Sequence, residues 1–165
     1  MITTELVKQL RDRTGISVMQ CQKALTETGG DIEKAVALLA QNSAEIAGKK
    51  GNRMLGAGVI SSYVHATGTV GTMVELLCET DFVAKNEDFV KLARDIAMHV
   101  TATNPEYLKA EDVPAGSKAL ENGAVLLDQP FIKNQEVTIT NLIQGAVQKF
   151  GEKIELSRFV RYSVS

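Results

Sequence analysis

The first 40 positions carry hydrophobic residues at helical spacing, interrupted by short glycine-containing segments. This pattern predicts three short helices within residues 3–40. The first ends at Gly15, which suits a left-handed C-cap, and the second begins after Ser17, with Gln20 three residues later as in a capping box. Asp31 then caps the third helix. The three helices form a compact bundle, near the lower size limit for an independent core.

The segment between the first two predicted helices, TGISVM at residues 14–19, is apolar where exposure to solvent is expected. The layout resembles the ubiquitin-associated type of three-helix bundle, in which this loop is a protein-docking surface. Ile16, Val18 and Met19 therefore either turn inward against the bundle or form a docking surface, for which methionine is a frequent choice.

Residues 41–58 lose strong periodicity and contain four glycines together with Lys49, Lys50 and Arg53. A solvated linker explains the basic residues better than phosphate contact does. The chain is therefore divided into a bundle at residues 1–47, a linker at 48–58 and a core at 59–165.

The pattern of the core begins with strands. Val59–His65 and Val70–Cys78 are apolar, partly β-branched runs separated by ATGT, which predicts a β-hairpin. A third strand at residues 152–164 is interrupted by Arg158 on its apolar face. The apolar residues assigned to that one face are Ile154, Leu156, Val160, Tyr162 and Val164.

Helices follow the hairpin. Asn86 caps a helix over residues 86–103, and acidic residues in its first turn suit a helix N-terminus. A second unit opens at Pro130, with a helix capped by Thr138 or Thr140 and ended by Gly151. The chain is thus predicted to be α+β: a three-helix bundle, then a small antiparallel sheet of about three strands with helices on one face.

One segment joins the two patterns. ETDFVAKNEDF, Glu79 to Phe89, lies where an apolar strand stops and an amphipathic helix starts, with Phe82 in its middle. An aromatic residue at such a tip is exposed unless something covers it. Phe82 is therefore either a core residue or an anchor for a partner.

Composition narrows the function classes. The chain of 165 residues is 44% hydrophobic and 23% charged, as in soluble globular proteins, and its net charge of −2 gives no field that favours nucleic acid. No apolar run is long enough to span a membrane and no signal pattern begins the chain, so the cytoplasm is expected. The cysteines, Cys21 and Cys78, lack metal-site or CxxC spacing and are expected to be buried thiols.

Nothing in the spacing indicates catalysis. The two histidines, His65 and His99, lie in a predicted strand and a predicted helix without a nucleophile pattern. The acidic residues Glu75, Glu79, Asp81, Glu87 and Asp88 cluster in sequence, and capping or surface roles explain them more simply than metal binding. The chain is expected to be neither an enzyme nor a cofactor protein.

Several motifs in order carry a family resemblance. The run LRDRTGISVMQCQKALTETGGDIEKAVALL resembles the N-terminal domain of bacterial elongation factor Ts, and TDFVAKN is similar to a signature of that family. IAMHV, LLDQPFIK and the closing EKIELSRF fit as well. The resemblance covers nearly the whole chain.

The resemblance implies a guanine-nucleotide exchange factor for elongation factor Tu, the GTPase that delivers aminoacyl-tRNA. In the family, the N-terminal bundle docks on the GTPase domain and the TDFV turn enters near the nucleotide. The positions of this chain that match the family's partner-binding residues are Thr80, Asp81, Phe82 and Val83 in the turn, Arg11, Val18 and Met19 in the bundle, and His65 in the SYVH stretch.

Two departures from the family pattern bear on assembly. Long members carry a second copy of the core, whereas this chain has one, and its segment Ala115 to Val125 is short for the helices that usually precede LLDQPF. Short members pair two chains, so the resemblance implies a homodimer and a two-to-two complex. The loop TGISVMQC also differs from the commoner TGAGMMDC.

Two other functions compete with this one. A ubiquitin-associated-like adaptor would bind a protein partner through Ile16 to Met19, without nucleotide exchange, and would keep Phe82 in the core. A small metal hydrolase would use the carboxylates of Glu79 and Asp81.

Overall fold

The computed structural model describes residues 2–49 and 51–165. Met1 of the predicted bundle and Lys50 of the predicted linker lie outside the described residues. The helices and strands, in chain order, are α1 Thr4–Thr14, α2 Val18–Glu27, α3 Ile32–Lys49, β1 Ala57–Val64, β2 Val70–Cys78, α4 Asp81–Ala84, α5 Glu87–Thr103, β3 Pro130–Phe131, β4 Asn134–Thr138, α6 Ile139–Phe150 and β5 Glu155–Ser163. Short 3-10 turns occupy Ala110–Asp112 and Leu126–Asp128. The α+β fold predicted from the sequence is confirmed.

The bundle forms through the local caps that its sequence contains. The Ser17 hydroxyl accepts a hydrogen bond from the backbone N–H of Gln20 at 3.4 Å, and the Asp31 carboxylate accepts one from Lys34 at 3.1 Å. Gly15 ends α1 in the left-handed conformation, at φ 70°. A small apolar core lies between the three helices, formed by Val7, Leu10, Ile16, Cys21, Ala24, Leu25, Ala35 and Leu39.

The third helix is longer than its sequence pattern predicted. Periodicity weakens after residue 40, yet α3 continues to Lys49. The reason is a distant packing partner: Ser43 on α3 is buried, and Gln148 on α6 donates hydrogen bonds to Ser43 and to the Leu39 carbonyl. Helical structure therefore extends into the first positions of the predicted linker, while the three-part division of the chain stays a prediction.

The main sheet has three antiparallel strands in the order β1-β2-β5. β1 and β2 form the predicted hairpin, and the predicted second strand matches β2 residue for residue. α5 packs on one face of the sheet, where Phe89, Ile96 and Val100 are fully buried. A separate two-stranded sheet pairs β3 with β4 ahead of α6.

A bulge in β5 corrects one sequence expectation. Leu76 of β2 pairs with Leu156, but the preceding Glu75 pairs with Arg158, so Ser157 is an extra residue in β5. The Ser157 hydroxyl donates to the Glu75 carboxylate at 2.6 Å, which stabilises the irregularity.

The extra residue reverses which side chains face the core. Before the bulge, Leu156 is buried; after it, Phe159 packs against the core and Val160 and Tyr162 are 39% and 78% exposed. The prediction that Ile154, Leu156, Val160, Tyr162 and Val164 share one face was therefore wrong, because a one-residue insertion moves every later side chain to the opposite face.

Both cysteines are buried free thiols, as the sequence predicted. Burial raises the pKa of Cys21 and of Cys78, which keeps both in the protonated form.

His99 joins α5 to the chain that follows it. The ring is fully buried, and its Nδ1 accepts a hydrogen bond from the Ile132 backbone N–H at 3.2 Å. Nε2 therefore carries the proton and donates to the Gln129 side-chain oxygen at 2.9 Å. The same oxygen accepts a hydrogen bond from Thr103, and the Gln129 amide donates to the Gly123 carbonyl. Burial lowers the pKa of His99, with the Gln129 contact opposing it.

This network predicts a pH dependence of stability. Because the folded-state pKa of His99 is lowered, its contribution is present above the unfolded pKa of about 6.5 and is lost as the pH falls below it. The free energy of unfolding should decrease as the pH falls from about 7.5 to below 6.5, measured by urea denaturation. His99→Asn should flatten the dependence, and an unchanged dependence in that variant would contradict the assignment to His99.

A close approach of β1 and β2 gives a second stability prediction. A Cβ atom added at Gly58 would lie 2.5 Å from the Leu76 carbonyl oxygen and 3.0 Å from the Leu77 Cα, both backbone atoms. Gly58→Ala should therefore lower the free energy of unfolding by about 2 kcal/mol. Gly48→Ala in α3, where nothing lies within 4 Å, should leave stability unchanged or raise it by up to about 1 kcal/mol. Equal stability of the two variants would contradict the steric argument.

Candidate functional site: an exposed turn and a loop

The most exposed aromatic side chain of the site lies between β2 and α5. The connection Glu79–Asn86, here called the Phe82 turn, contains the single-turn helix α4, and Phe82 on α4 is 91% exposed. Phe82 is therefore not a core residue, which decides one alternative that the sequence left open. A large apolar side chain held in solvent on an ordered turn is typical of an interaction site.

The inner side of the Phe82 turn is fixed to the core. Val83 and Ala84, the two residues after Phe82, are 8% and 6% exposed and belong to the main core cluster. The Thr80 carbonyl accepts hydrogen bonds from the Ala84 N–H at 3.2 Å and from the Cys78 thiol at 3.3 Å. Asn86 then caps α5 by accepting from the Asp88 N–H at 2.9 Å. The turn thus presents Asp81 and Phe82 outward from a rigid base.

The second exposed apolar surface is residues 14–19, which comprise the end of α1, the connection 15–17 and the first two residues of α2, and are here called the α1–α2 loop. Ile16 turns inward and is 5% exposed, whereas Val18 and Met19 are 49% and 79% exposed. The sequence allowed either orientation for these residues, and the structure divides them: one stabilises the bundle and two are available to a partner. Arg11 lies exposed beside them on α1.

The bundle is seated on α6 of the core. A Cβ atom at Gly145 would lie 3.3 Å from the Gly15 carbonyl oxygen, so the absence of a side chain at Gly145 allows the two backbones to approach closely. The Asn134 amide donates to the Asp12 carbonyl at 2.5 Å. These contacts hold the α1–α2 loop at a fixed position relative to the core.

A groove of about 360 Å³ lies between the loop and the start of α5. Arg11 and Val18 line its bundle side, and Asp88, Lys149 and Phe150 line its core side. An ion pair joins Lys149 to Asp88 and lowers the pKa of that carboxyl group. This groove separates the α1–α2 loop from the first turn of α5. Since α5 directly follows the Phe82 turn, the loop and the turn lie on either side of this region.

His65 is not brought to the Phe82 turn. It lies exposed in the β1–β2 connection, where its N–H donates to the Val70 carbonyl at 2.9 Å, and the Tyr63 hydroxyl is 3.3 Å from its Nδ1. The Phe82 turn leaves the opposite end of β2. At the usual rise per strand residue, the two sites are roughly 27 Å apart along β2.

Three of the clustered acidic residues, Glu75, Glu79 and Asp88, have structural partners. Glu75 accepts from Ser157 and Arg158, which lowers the pKa of its carboxyl group. Within residues 2–49 and 51–165, no group of three or more histidine, cysteine or acidic side chains is placed to hold a metal ion. Among the helices of that same part of the chain, none combines the length and apolar character needed to cross a membrane.

Sequence reasoning missed a third apolar surface. The sheet face opposite α5, here called the outer sheet face, exposes five large apolar side chains: Ile60, Val64, Met73, Val160 and Tyr162. The bulge in β5 concealed this surface, since the sequence pattern placed Val160 and Tyr162 on the same strand face as Ile154 and Leu156. The sequence did contain one signal of this surface. In β1, Ile60 and Val64 are apolar although they alternate with the residues that face the core.

The two sides of the Phe82 turn should respond differently to truncation. Phe82→Ala should change the free energy of unfolding by less than about 0.5 kcal/mol, because the ring is already in solvent. Val83→Ala should lower it by about 2 kcal/mol, because it leaves a cavity in the core. Urea denaturation of both variants measures this, and a large loss in Phe82→Ala would mean that the ring is packed in solution.

The fold and the site define a class: an α+β protein with an N-terminal helical region that presents exposed apolar residues on a turn and a loop. Comparison with known proteins makes the class specific. The sequence profile of the family described as Elongation factor TS matches residues 2–123. The chain is 41% identical to elongation factor Ts of Heliobacterium modesticaldum, over 99% of this chain and 90% of that protein.

Other relatives agree. Elongation factor Ts of Thermodesulfovibrio yellowstonii is 43% identical over 99% of this chain and 96% of the relative. That of Cyanothece sp. is 41% identical over 98% of this chain and 73% of the relative. The chain belongs to the elongation factor Ts family. The Heliobacterium alignment spans 194 positions against 165 residues here, so this relative has at least 29 residues that this chain lacks.

Proposed function

We propose that this chain is a guanine-nucleotide exchange factor that promotes release of GDP from elongation factor Tu during translation elongation in the cytoplasm. Membership of the elongation factor Ts family supports the class of activity. The observation that carries the mechanism is the 91% exposure of Phe82 on a turn whose next two residues are buried. That arrangement favours exchange over the adaptor, which would keep Phe82 in the core.

Docking begins, in this proposal, at the bundle. Val18 and Met19 contact a helix of the GTPase domain, and Arg11 adds charge at the edge of the same surface. Because Gly15 is seated against α6, docking also fixes where the Phe82 turn arrives. Asp81 and Phe82 then enter near the nucleotide and its Mg²⁺, while Thr80 and Val83 hold the shape of the turn.

The Phe82 turn needs to supply only a small binding free energy to weaken the binding of GDP. A GTPase holds its nucleotide through backbone donors and a positioned cation, so a ligand that prefers a distorted form of that cradle weakens GDP binding. An aromatic anchor in a partner pocket supplies about 2 kcal/mol or more, and each 1.4 kcal/mol of coupling is about tenfold in affinity. No covalent bond or proton transfer is needed, so the chain acts as a protein ligand and not as an enzyme.

The test is release of a fluorescent GDP analogue from elongation factor Tu. The parent chain should accelerate release, and Phe82→Ala should reduce the acceleration by about tenfold or more, since an anchor worth about 2 kcal/mol is lost. Leu120→Ala is the matched control, because Leu120 is also exposed, at 55%, and lies outside the turn and the loop.

Two results would overturn the proposal. If the parent binds elongation factor Tu and leaves the release rate unchanged, the adaptor function is correct. If Phe82→Ala and Leu120→Ala both match the parent, exchange does not depend on the turn.

We further propose that two copies pair through the outer sheet face, giving a two-to-two complex. Five exposed apolar side chains dominate the face, and its polar side chains include Ser62 and the ion pair between Glu75 and Arg158, with nitrogen and oxygen 3.1 Å apart. A two-fold partner would therefore place mainly apolar surface against apolar surface. In such a complex, His65 would contact a part of the GTPase different from the one that receives Phe82. No direct contact with nucleic acid is proposed.

Pairing is testable by sedimentation equilibrium. The parent should have twice the 17.8 kDa mass of a single chain, and Val160→Glu should return it to the single-chain mass by placing a charge in the apolar contact. Val90→Glu, at an exposed site on α5, should leave the dimer intact. A monomeric parent would contradict this part of the proposal.

A further inference from the structure

A carboxylate from the C-terminal part of the chain holds the start of the Phe82 turn. Glu152 follows α6, where Gly151 reverses the chain in the left-handed conformation at φ 68°. One carboxylate oxygen of Glu152 accepts hydrogen bonds from the N–H groups of Glu79 and Thr80, at 3.2 and 3.1 Å. The other accepts from the Thr80 hydroxyl at 2.7 Å. One side chain thus makes three contacts with two consecutive residues.

The same two chain segments are also joined in the opposite direction. The Glu79 carboxylate accepts a hydrogen bond from the Lys153 N–H at 2.6 Å and forms an ion pair with Arg53 at 3.2 Å. Each segment therefore supplies a carboxylate to the backbone of the other. Reciprocal contacts of this kind restrict both the separation and the rotation of the two segments.

The contacts with Glu152 also explain a local irregularity. Thr80 occupies the N-cap position of α4, yet its side chain makes no capping hydrogen bond to that helix. The hydroxyl donates to Glu152 instead. The residue at the start of the turn is thus oriented from outside the turn and not by the helix that it begins.

We infer that Glu152 is a positioning residue for nucleotide exchange, acting through Thr80 on the orientation of Phe82. The inference rests on the proposed function. The Phe82 ring lies almost entirely in solvent, so the backbone two residues earlier, together with buried Val83, sets the direction in which it points. Glu152 fixes that backbone before a partner is present, which reduces the ordering cost of binding.

Two variants separate geometry from charge. Glu152→Gln keeps the length of the side chain and an oxygen that accepts from both N–H groups, and its amide can donate to the Thr80 oxygen. Glu152→Asp keeps the charge but is one methylene shorter. We expect Glu152→Gln to stay within about threefold of the parent in maximal GDP release, and Glu152→Asp to fall about tenfold, as for lost hydrogen bonds to a charged group.

The decisive measurement is a double-mutant cycle in the same release assay. If Glu152 acts through Phe82, then Glu152→Asp should reduce release in the parent and have little further effect in the Phe82→Ala background. Glu121→Asp is the matched control, because Glu121 is exposed and takes no part in the contacts between Glu152, Lys153, Glu79 and Thr80. Thermal unfolding of every variant establishes the temperature at which all are folded and assayed.

The outcomes are distinct. Independent, multiplying effects of the two substitutions would overturn the inference, as would a Glu152→Asp variant that matches the parent, or a Glu152→Gln variant as impaired as Glu152→Asp. If the parent itself fails to accelerate release, the proposed function fails first. Failure of the inference alone requires an active parent.

Discussion

The connection between β2 and α5 is the constraint on which the site depends. β2 is the central strand of the sheet, and α5 packs on the face of that sheet, so both ends of the connection are fixed in the core. Eight residues join them, Glu79 to Asn86. The chain must leave the end of the sheet, turn and return, and the middle of such a short path is forced outward. Burial of Val83 on the inner side leaves Phe82 on the outer side.

α6 has a comparable role on a larger scale. Its Ala146 and Val147 are buried in the main core, while Gly145 and Gln148 contact the bundle. One helix therefore stabilises the core and holds the α1–α2 loop against it. The loop that follows α6 also supplies Glu152 to the Phe82 turn. A single connected set of contacts thus relates the two exposed apolar surfaces and fixes the position of one relative to the other.

Elements that depend on neighbouring residues could be predicted from the sequence, whereas elements that depend on residues far away along the chain could not. Caps at Ser17, Asp31 and Thr138 are local, and the helices that they begin were predicted correctly. The full length of α3 was not, because its partner Gln148 lies more than 100 residues away. The prediction of which β5 side chains share a face was wrong for the same reason, because the bulge in β5 is stabilised by the distant residue Glu75.

The candidate site also combines features set by neighbouring residues with features set by distant ones. The sequence located the Phe82 turn from the change between strand and helix patterns, but could not decide whether Phe82 was buried or exposed. The hydrogen bonds between Glu152 and Thr80 join residues 72 positions apart, and nothing in the sequence pattern indicated them. The roles of Thr80, Asp81, Phe82, Val83, Arg11, Val18, Met19 and His65 toward a GTPase remain predictions.

The most direct test of the central claim is the affinity of this chain for elongation factor Tu with and without GDP, measured by titration calorimetry. Thermodynamic coupling is reciprocal, so an exchange factor that weakens GDP binding must itself bind less tightly when GDP is present, by the same factor. We expect much tighter binding to the nucleotide-free GTPase than to its GDP-bound form. Equal affinity for the two forms would show that the chain binds without coupling to nucleotide, and would contradict the account.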